Sequence, residues 1–170
     1  AQPGGPAGWL ARDLELTDLT LLEPTTPDGS AGIGCVGVLS RPLSWPAFLA
    51  RLTALLPQTC MRQCGIAPAE VRTVGYCGGS GASLAEAAFA RGAEVFITGD
   101  VKYHVALDLA AAASGCLLDV GHFSIEEEMM RRFAQLLTAH VSNTDPAMAV
   151  RFFPGQDPFL TVHPGPLLHL

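Results

Sequence analysis

Residues 71–126 read VRTVGYCGGSGASLAEAAFARGAEVFITGDVKYHVALDLAAAASGCLLDVGHFSIE, and this stretch decides the fold. It contains three short apolar segments, at 71–77, 94–98 and 116–120, and each runs into a polar or glycine turn. Short, partly β-branched segments of this kind are typical of buried strands in a parallel sheet. In an open α/β sheet, the turns after parallel strands lie along one edge, where ligands bind. The stretch therefore predicts a strand-turn-helix series with a ligand-binding edge.

The flanking sequence adds further elements to this series. Periodicity and turn residues predict a helix at 6–14, strands at 18–22 and 32–39, a helix at 45–57, an irregular connection at 58–70 and a last strand at 148–153. Pro42 is expected to end the second of these strands. Together, the elements predict a three-layer α/β/α architecture with a mixed, largely parallel sheet. We expect one domain over residues 1–162 and a loose C-terminal tail over 163–170.

Composition narrows the function classes. The chain has a net charge of −6 and no run of Lys or Arg, so we expect no nucleic-acid partner. No apolar run approaches the roughly 18–20 residues that a membrane span needs, which predicts a cytoplasmic protein without a membrane partner. The five cysteines are odd in number and irregularly spaced, which favours reduced thiols. Only 15% of the residues are charged, which indicates either a surface buried in an oligomer or an Ala-rich composition.

The strongest chemical motif is DVGHFSIE, at residues 119–126. His122 precedes a predicted helix that starts with a Ser124–Glu127 capping box, and Glu126 falls in its first turn. An imidazole and a carboxylate converging at a strand end suit a zinc, manganese or iron ion. The alternative is structural: the helix dipole stabilises a carboxylate such as Glu126 without any metal, and His122 is then only a turn residue.

A second motif, at residues 98–108, reads TGDVKYHVALD. Asp100 is predicted to cap the following helix, with His104 and Asp108 one and two turns further on. A carboxylate that fixes the tautomer of His104 would suit that residue to proton transfer. The alternative is that these side chains only form a solvated helix face.

The third motif is CGGSGAS, at residues 77–83. Gly78, Gly79 and Ser80 lie between a strand and a helix, where backbone amides can face an anion. The motif is neither GxGxxG nor a P-loop, since no Lys follows the glycines, so a Rossmann-like nucleotide binder is disfavoured. A tight strand-to-helix turn is the alternative.

The segments CGGSGASL, ITGDVKYHVALD and DVGHFSIEE, in this order and at these separations, resemble the C-terminal half of the Nif-three-like family of GTP cyclohydrolase type 2 homologues. PGGPAGWLA, LLEP and GIGCVG resemble the family's middle region, so the likeness covers residues 1–162. It implies that this chain is the second of two interlocked α/β halves, in a toroidal homo-hexamer with two divalent ions per site. His122 and Glu126 match the family's metal ligands, and Asp100 and His104 match positions that line the same cavity. With them, Gly78, Gly79 and Ser80 are expected to line the pocket.

Two functions are therefore open. The first is a metal-dependent hydrolase acting on a nucleotide or related small molecule, with metal ligands His122 and Glu126 and with His104 as the catalytic proton-transfer group. The second is a non-catalytic metal-binding or partner-binding scaffold that forms a ring. The family's His pair and a further Asp do not occur in this sequence. Either the natural protein carries these ligands in a part that precedes these residues, or this chain has lost the full centre.

Overall fold

A computed structural model describes residues 5–56, 60–112, 115–145 and 147–160. The helices are α1 (Trp9–Asp13), α2 (Trp45–Leu55), α3 (Ala85–Ala90), α4 (Tyr103–Ala112) and α5 (His122–Thr144). The strands are β1 (Leu16–Pro24), β2 (Gly32–Ser44), β3 (Arg62–Cys64), β4 (Glu70–Tyr76), β5 (Val95–Thr98) and β6 (Cys116–Asp119). The strands form one sheet in the order β1-β2-β4-β5-β6-β3.

The sheet is mixed, which confirms the predicted α/β class. β4, β5 and β6, the strands of the deciding stretch, are parallel to one another. β1 pairs antiparallel with β2, β2 with β4, and β3 with β6. Fewer of the strand pairs are therefore parallel than the sequence predicted. The physical reason at the β1–β2 end is the short loop over 25–31, because a connection that short reverses the chain and cannot return it to a parallel neighbour.

Helices cover both faces of the sheet, as the three-layer prediction requires. One core cluster joins α1, α2 and α5 to the sheet through Trp9, Phe48 and Ile125. The other cluster joins α3 and α4 to the opposite face through Ala88 and Leu109. Successive β5 residues belong to different clusters, because side chains alternate between the two faces of a strand.

Three local predictions were wrong. β2 continues past Pro42 to Ser44. Its pairing with β4 is interrupted by a register shift between Val38 and Leu43, so Pro42 does not have to donate a ladder hydrogen bond. β3 lies in the segment predicted to be irregular, and three residues are too few to show a periodicity. Residues 148–153 form no strand in the described part of the chain. The predicted tail, 163–170, lies outside the described residues.

The N-terminal helix is tied to α5 by a buried tryptophan. The Trp9 indole N–H donates to the backbone oxygen of Ile125 at 3.2 Å. The guanidinium of Arg132 lies over the indole ring, 4.2 Å from its centroid, and its Nε donates to Asp13 at 2.6 Å. These contacts fix α5 against the sheet. Among the described residues, none of the helices is both long and apolar enough to cross a membrane.

Candidate functional site

The three turns of the deciding stretch meet at one edge of the sheet. β5 and β6 are in register, with Thr98 opposite Asp119, so the turns that follow them start side by side. The Gly99 N–H donates to the backbone oxygen of Gly79 at 2.8 Å, which joins the second turn to the first. A Cβ at Gly99 would lie 2.7 Å from the backbone nitrogen of His122, so only glycine permits the second turn to touch the third. The predicted convergence of the turns is confirmed.

The buried Thr98 hydroxyl holds the glycine turn. Its oxygen accepts a hydrogen bond from the Gly81 N–H at 2.8 Å and donates one to the Gly79 oxygen at 3.2 Å. Because this side chain is fully buried, its hydroxyl must be paired within the protein. Thr98 therefore fixes the backbone of Gly79, which faces the candidate metal ligands.

Asp119 holds the other two turns. Its side chain is 4% exposed, and its carboxylate accepts hydrogen bonds from the Val101 N–H at 3.1 Å and the Gly121 N–H at 3.0 Å. The same carboxylate accepts from the guanidinium of Arg62 on β3. Nothing in the sequence pointed to Arg62, because it lies in the segment predicted to be irregular. Asp119 acts here as a positioning residue for the turns that carry Asp100 and His122.

His122 lies between two carboxylates. Its Nδ1 is 2.6 Å from Oδ2 of Asp100, and its Nε2 is 3.1 Å from Oε1 of Glu126, one helical turn further on. The hydrogen bond with Asp100, together with the charges of both carboxylates, raises the pKa of His122 above its ordinary value of 6.5. Asp100 reaches this position from a left-handed backbone conformation, with φ of 53°. The His122–Glu126 proximity is as predicted, and the Asp100–His122 pair is a contact that the sequence did not indicate.

The geometry of His122 and Glu126 fits part of a metal centre. Two ligands with bonds of about 2.1 Å to one ion lie about 3.0–3.4 Å apart, which matches the Nε2–Oε1 separation of 3.1 Å. A carboxylate on the other ring nitrogen, here Asp100, is the usual orienting partner of a ligating histidine. Gly79 leaves space for an ion, since a Cβ there would lie 2.9 Å from Glu126 Oε1. Among the described residues, no group of three or more His, Cys, Asp or Glu side chains is arranged to hold an ion. His122 and Glu126 alone therefore do not make a complete metal site, and a centre built on them would need further groups.

Replacing Asp100 with asparagine is expected to lower the pKa of His122, because the amide loses the charge and the strong acceptor that favour the imidazolium. Because the folded-state pKa of His122 is raised, its protonation stabilises the fold fully below the ordinary pKa of about 6.5. This stabilisation is lost as pH rises through the raised pKa. The pH titration of the histidine Cε1–H resonances measures the shift. Asp108→Asn, on the exposed face of α4, is the matched control and should leave His122 unchanged. An unchanged pKa in Asp100→Asn would show that the pair does not form.

The other predicted residues lie further from this pair. His104 is exposed on α4, where its ring meets Tyr103 edge-on with centroids 5.7 Å apart. The structure pairs Asp100 with His122 rather than with His104, and α4 begins at Tyr103, so Asp100 does not cap it. Ser80 is exposed, and a catalytic role for His104 stays a prediction.

The predicted start of α5 was also wrong. The helix begins at His122, directly after Gly121, whose φ of 79° turns the chain from β6 into the helix. Ser124 is therefore inside the first turn and makes no capping hydrogen bond in the structure. The Glu127 carboxylate instead accepts from the Gly155 N–H at 3.0 Å and holds the C-terminal segment against α5.

Two cavities adjoin Glu126. The larger, the site cavity, has a volume of about 820 Å³; the smaller has about 250 Å³. The site cavity is lined by Cys60, Arg62, Asp100, Asp119, Gly121, His122, Phe123, Ser124, Glu126, Glu127, Met130, Asp157, Pro158 and Phe159. Of the predicted pocket residues, Asp100 lines the site cavity and Gly78 lines the smaller one. Gly79, Ser80 and His104 line neither.

The three turns and the His122–Glu126 pair lie within the residues that match one family profile. Residues 1–158 match the family Duf34/NIF3 (NGG1p interacting factor 3). The chain belongs to the Duf34/NIF3 family. Among curated members, a Mycobacterium leprae protein is 35% identical over 136 residues, covering 79% of this chain and 34% of the relative. A Streptomyces coelicolor protein is 33% identical over 147 residues, covering 79% of this chain and 52% of the relative.

Both relatives are named GTP cyclohydrolase 1 type 2 homolog, so the resemblance drawn from the sequence is confirmed at family level. The chain spans only about a third to a half of their length. Among solved structures, Staphylococcus aureus protein SA1388 aligns with a TM-score of 0.78 at 21% identity, covering 94% of this chain and 66% of that one. A Bacillus cereus protein related to NIF3 aligns with a TM-score of 0.64 at 29% identity, covering 77% and 36%. These structural likenesses confirm the α/β fold.

Proposed function

We propose that this Duf34/NIF3 chain supplies two ligands, His122 Nε2 and Glu126 Oε1, to a divalent-metal centre. We further propose that the whole protein is a metal-dependent hydrolase acting on a nucleotide or a related small molecule. The observation that supports the metal is the 3.1 Å separation of these atoms, with Asp100 on the other ring nitrogen of His122. Nitrogen and oxygen donors suit zinc, manganese or iron. Two ions per site, as the family resemblance implies, would need ligands from elsewhere in the protein.

The electrostatics of the site cavity favour a cation. Asp100 and four other carboxylate residues line it, against the single guanidinium of Arg62, which already pairs with Asp119. Such an excess of one charge raises the local concentration of ions of the opposite sign. An anionic substrate would be repelled unless bound cations neutralise these carboxylates. The acidic lining therefore agrees with a site that takes metal first and a phosphate-bearing substrate afterwards.

Each residue has a distinct role in this proposal. Asp100 can only accept, so it keeps the proton on Nδ1 of His122 and leaves the Nε2 lone pair for ligation. A bound ion would activate water and polarise the bond under attack. Because the pKa of His122 is raised, ligation displaces a proton, and metal affinity should fall as pH decreases through that value. Gly79 keeps the space beside both ligands free of a side chain.

Metal binding tests the proposal directly. His122→Ala and Glu126→Gln are each expected to weaken zinc or manganese binding by at least tenfold, because the first removes a ligand and the second replaces a charged carboxylate with a neutral, weaker amide oxygen. Calorimetric titration with Zn²⁺ and Mn²⁺, followed by metal analysis after dialysis, provides the measurement. His104→Ala is the control, since His104 is exposed outside the cavity and should leave affinity unchanged. Metal binding of wild-type strength in both ligand variants would overturn the proposal.

The alternative function is a metal-binding scaffold that assembles into a ring. The supporting observation is an exposed apolar face on α5, formed by Met130, Phe133, Leu136 and Leu137, since exposed apolar patches mark contact surfaces. The scaffold would be favoured if metal-loaded protein forms hexamers but neither hydrolyses the guanine imidazole ring of GTP nor releases phosphate from GTP. Turnover that disappears in His122→Ala would favour the hydrolase. A monomer in sizing experiments would contradict the hexamer.

A further inference from the structure

The smaller cavity contains a polar group that the proposed metal site does not use. This cavity of about 250 Å³, here called the tyrosine cavity, lies where β2, β4 and α5 meet. Its walls are mainly apolar and include Ile33, Ile125 and Met129. It shares Glu126 with the site cavity, but its other lining residues are different. A mainly apolar cavity with a few convergent polar groups is the usual form of a small-molecule site.

Tyr76 is the unexplained group. Its side chain, at the end of β4, is 2% exposed, and within the described part of the chain its hydroxyl has no hydrogen-bond partner. The hydroxyl lies beside Gly78, where a Cβ would be 3.1 Å from it, and Gly78 also lines the tyrosine cavity. Buried hydroxyls are nearly always paired, because leaving one unpaired costs free energy. A partner from outside the protein, seated in the tyrosine cavity, would account for it.

The lining defines the chemistry of that partner. Cys35 and Cys77 line the tyrosine cavity as free, buried thiols, and burial raises the pKa of both, that of Cys35 to about 11. The thiols and the phenol are therefore neutral at physiological pH, and among the described residues no cationic side chain lines this cavity. Glu126 at the boundary with the site cavity would repel an anion. The volume holds roughly eight water molecules or an organic molecule of similar size.

We propose that the tyrosine cavity binds a small neutral molecule with a carbonyl or ether oxygen, which accepts a hydrogen bond from the Tyr76 hydroxyl. The apolar body of that molecule would contact Ile33, Ile125 and Met129. Since Glu126 borders both cavities, a molecule bound here would lie directly behind a proposed metal ligand. The binding site itself requires no metal, so it stands or falls independently of the metal centre.

The methionines of the chain make suitable reporters. Met129 lines the tyrosine cavity, Met130 lines the site cavity, and Met61 and Met148 line neither. We suggest titrating the chain, labelled with ¹³C at the methionine methyls and kept in chelator, with cyclohexanone and with methylenecyclohexane, which has the same shape but no oxygen. Cyclohexanone is expected to shift the Met129 resonance and to leave Met148 unchanged. Tyr76→Phe should weaken cyclohexanone binding about three- to tenfold and leave methylenecyclohexane unaffected, since only one hydrogen bond is lost.

Four results would overturn the proposal. A shift of Met130 without Met129 would place the probe in the site cavity, and no shift at saturating probe would mean that water alone occupies the tyrosine cavity. Equal cyclohexanone affinity in wild type and Tyr76→Phe would show that the hydroxyl does not bind the carbonyl. Unfolding by urea is the second measurement, because Tyr76→Phe removes an unpaired buried hydroxyl and should be at least as stable as wild type. A clear loss of stability would reveal a structural partner for the hydroxyl and would also contradict the proposal.

Discussion

Replacing Asp119 with alanine is expected to destabilise the protein by about 2–4 kcal/mol, because it removes an acceptor from three donors at a buried position. The carboxylate is 4% exposed and accepts from the Val101 and Gly121 N–H groups as well as from Arg62. The two backbone donors would remain inside the turns without their acceptor. Since these turns carry Asp100 and His122, the loss of stability should be accompanied by weaker binding at the proposed metal site. Urea unfolding, followed by circular dichroism, measures the free energy of unfolding.

The matched control is Arg62→Ala, which removes the third donor and keeps the carboxylate. The Arg62 side chain is 68% exposed, so water can replace it at the carboxylate, and the expected loss is below about 1 kcal/mol. The difference between the two losses separates the backbone hydrogen bonds of Asp119 from its ion pair with Arg62. If both variants lose the same free energy, the ion pair dominates, and Asp119 does not organise the turns as described.

Replacing Trp9 with alanine is expected to cost about 3–5 kcal/mol of unfolding free energy, the range found for buried aromatic residues. Trp9 is completely buried in the cluster between α1, α5 and the sheet. Its indole N–H donates to the oxygen of Ile125, and Arg132 packs on its ring. Alanine would leave a cavity and remove the hydrogen bond that the indole N–H donates to the Ile125 oxygen. Because Ile125 precedes Glu126, the same change should also loosen the first turn of α5.

Trp45 provides the matched control, as the only other tryptophan of the chain. It is half-buried at the start of α2, stacked on Phe48, so Trp45→Ala should cost clearly less than Trp9→Ala. Trp9→Phe keeps most of the apolar volume and isolates the indole hydrogen bond, for an expected loss of about 1–2 kcal/mol. Equal losses in the two alanine variants, measured by urea unfolding, would show that Trp9 does not anchor α5.

Local patterns predicted the parts of the fold that depend on short-range rules. The strands β4, β5 and β6 were expected at 71–77, 94–98 and 116–120 and lie within one residue of those limits. A buried strand is recognisable because its apolar residues run without interruption. The edge strand β3 and the continuation of β2 past Pro42 were missed, because their pairing depends on a neighbouring strand and leaves no periodic signal.

The sequence by itself determined the sheet edge, because turns after parallel strands share an edge, and it predicted that His122 and Glu126 converge at the end of β6. That both residues lie in α5, four apart on one helix face, was decided by the structure. Only the tertiary structure decided that Asp100 orients His122, since that contact depends on the register of β5 beside β6. The same holds for the Tyr76 hydroxyl, because its lack of a partner among the described residues is visible only when strands and helices are packed together. The sequence reveals features that depend on local chain geometry, whereas features that depend on contacts between distant segments appear only in the folded structure.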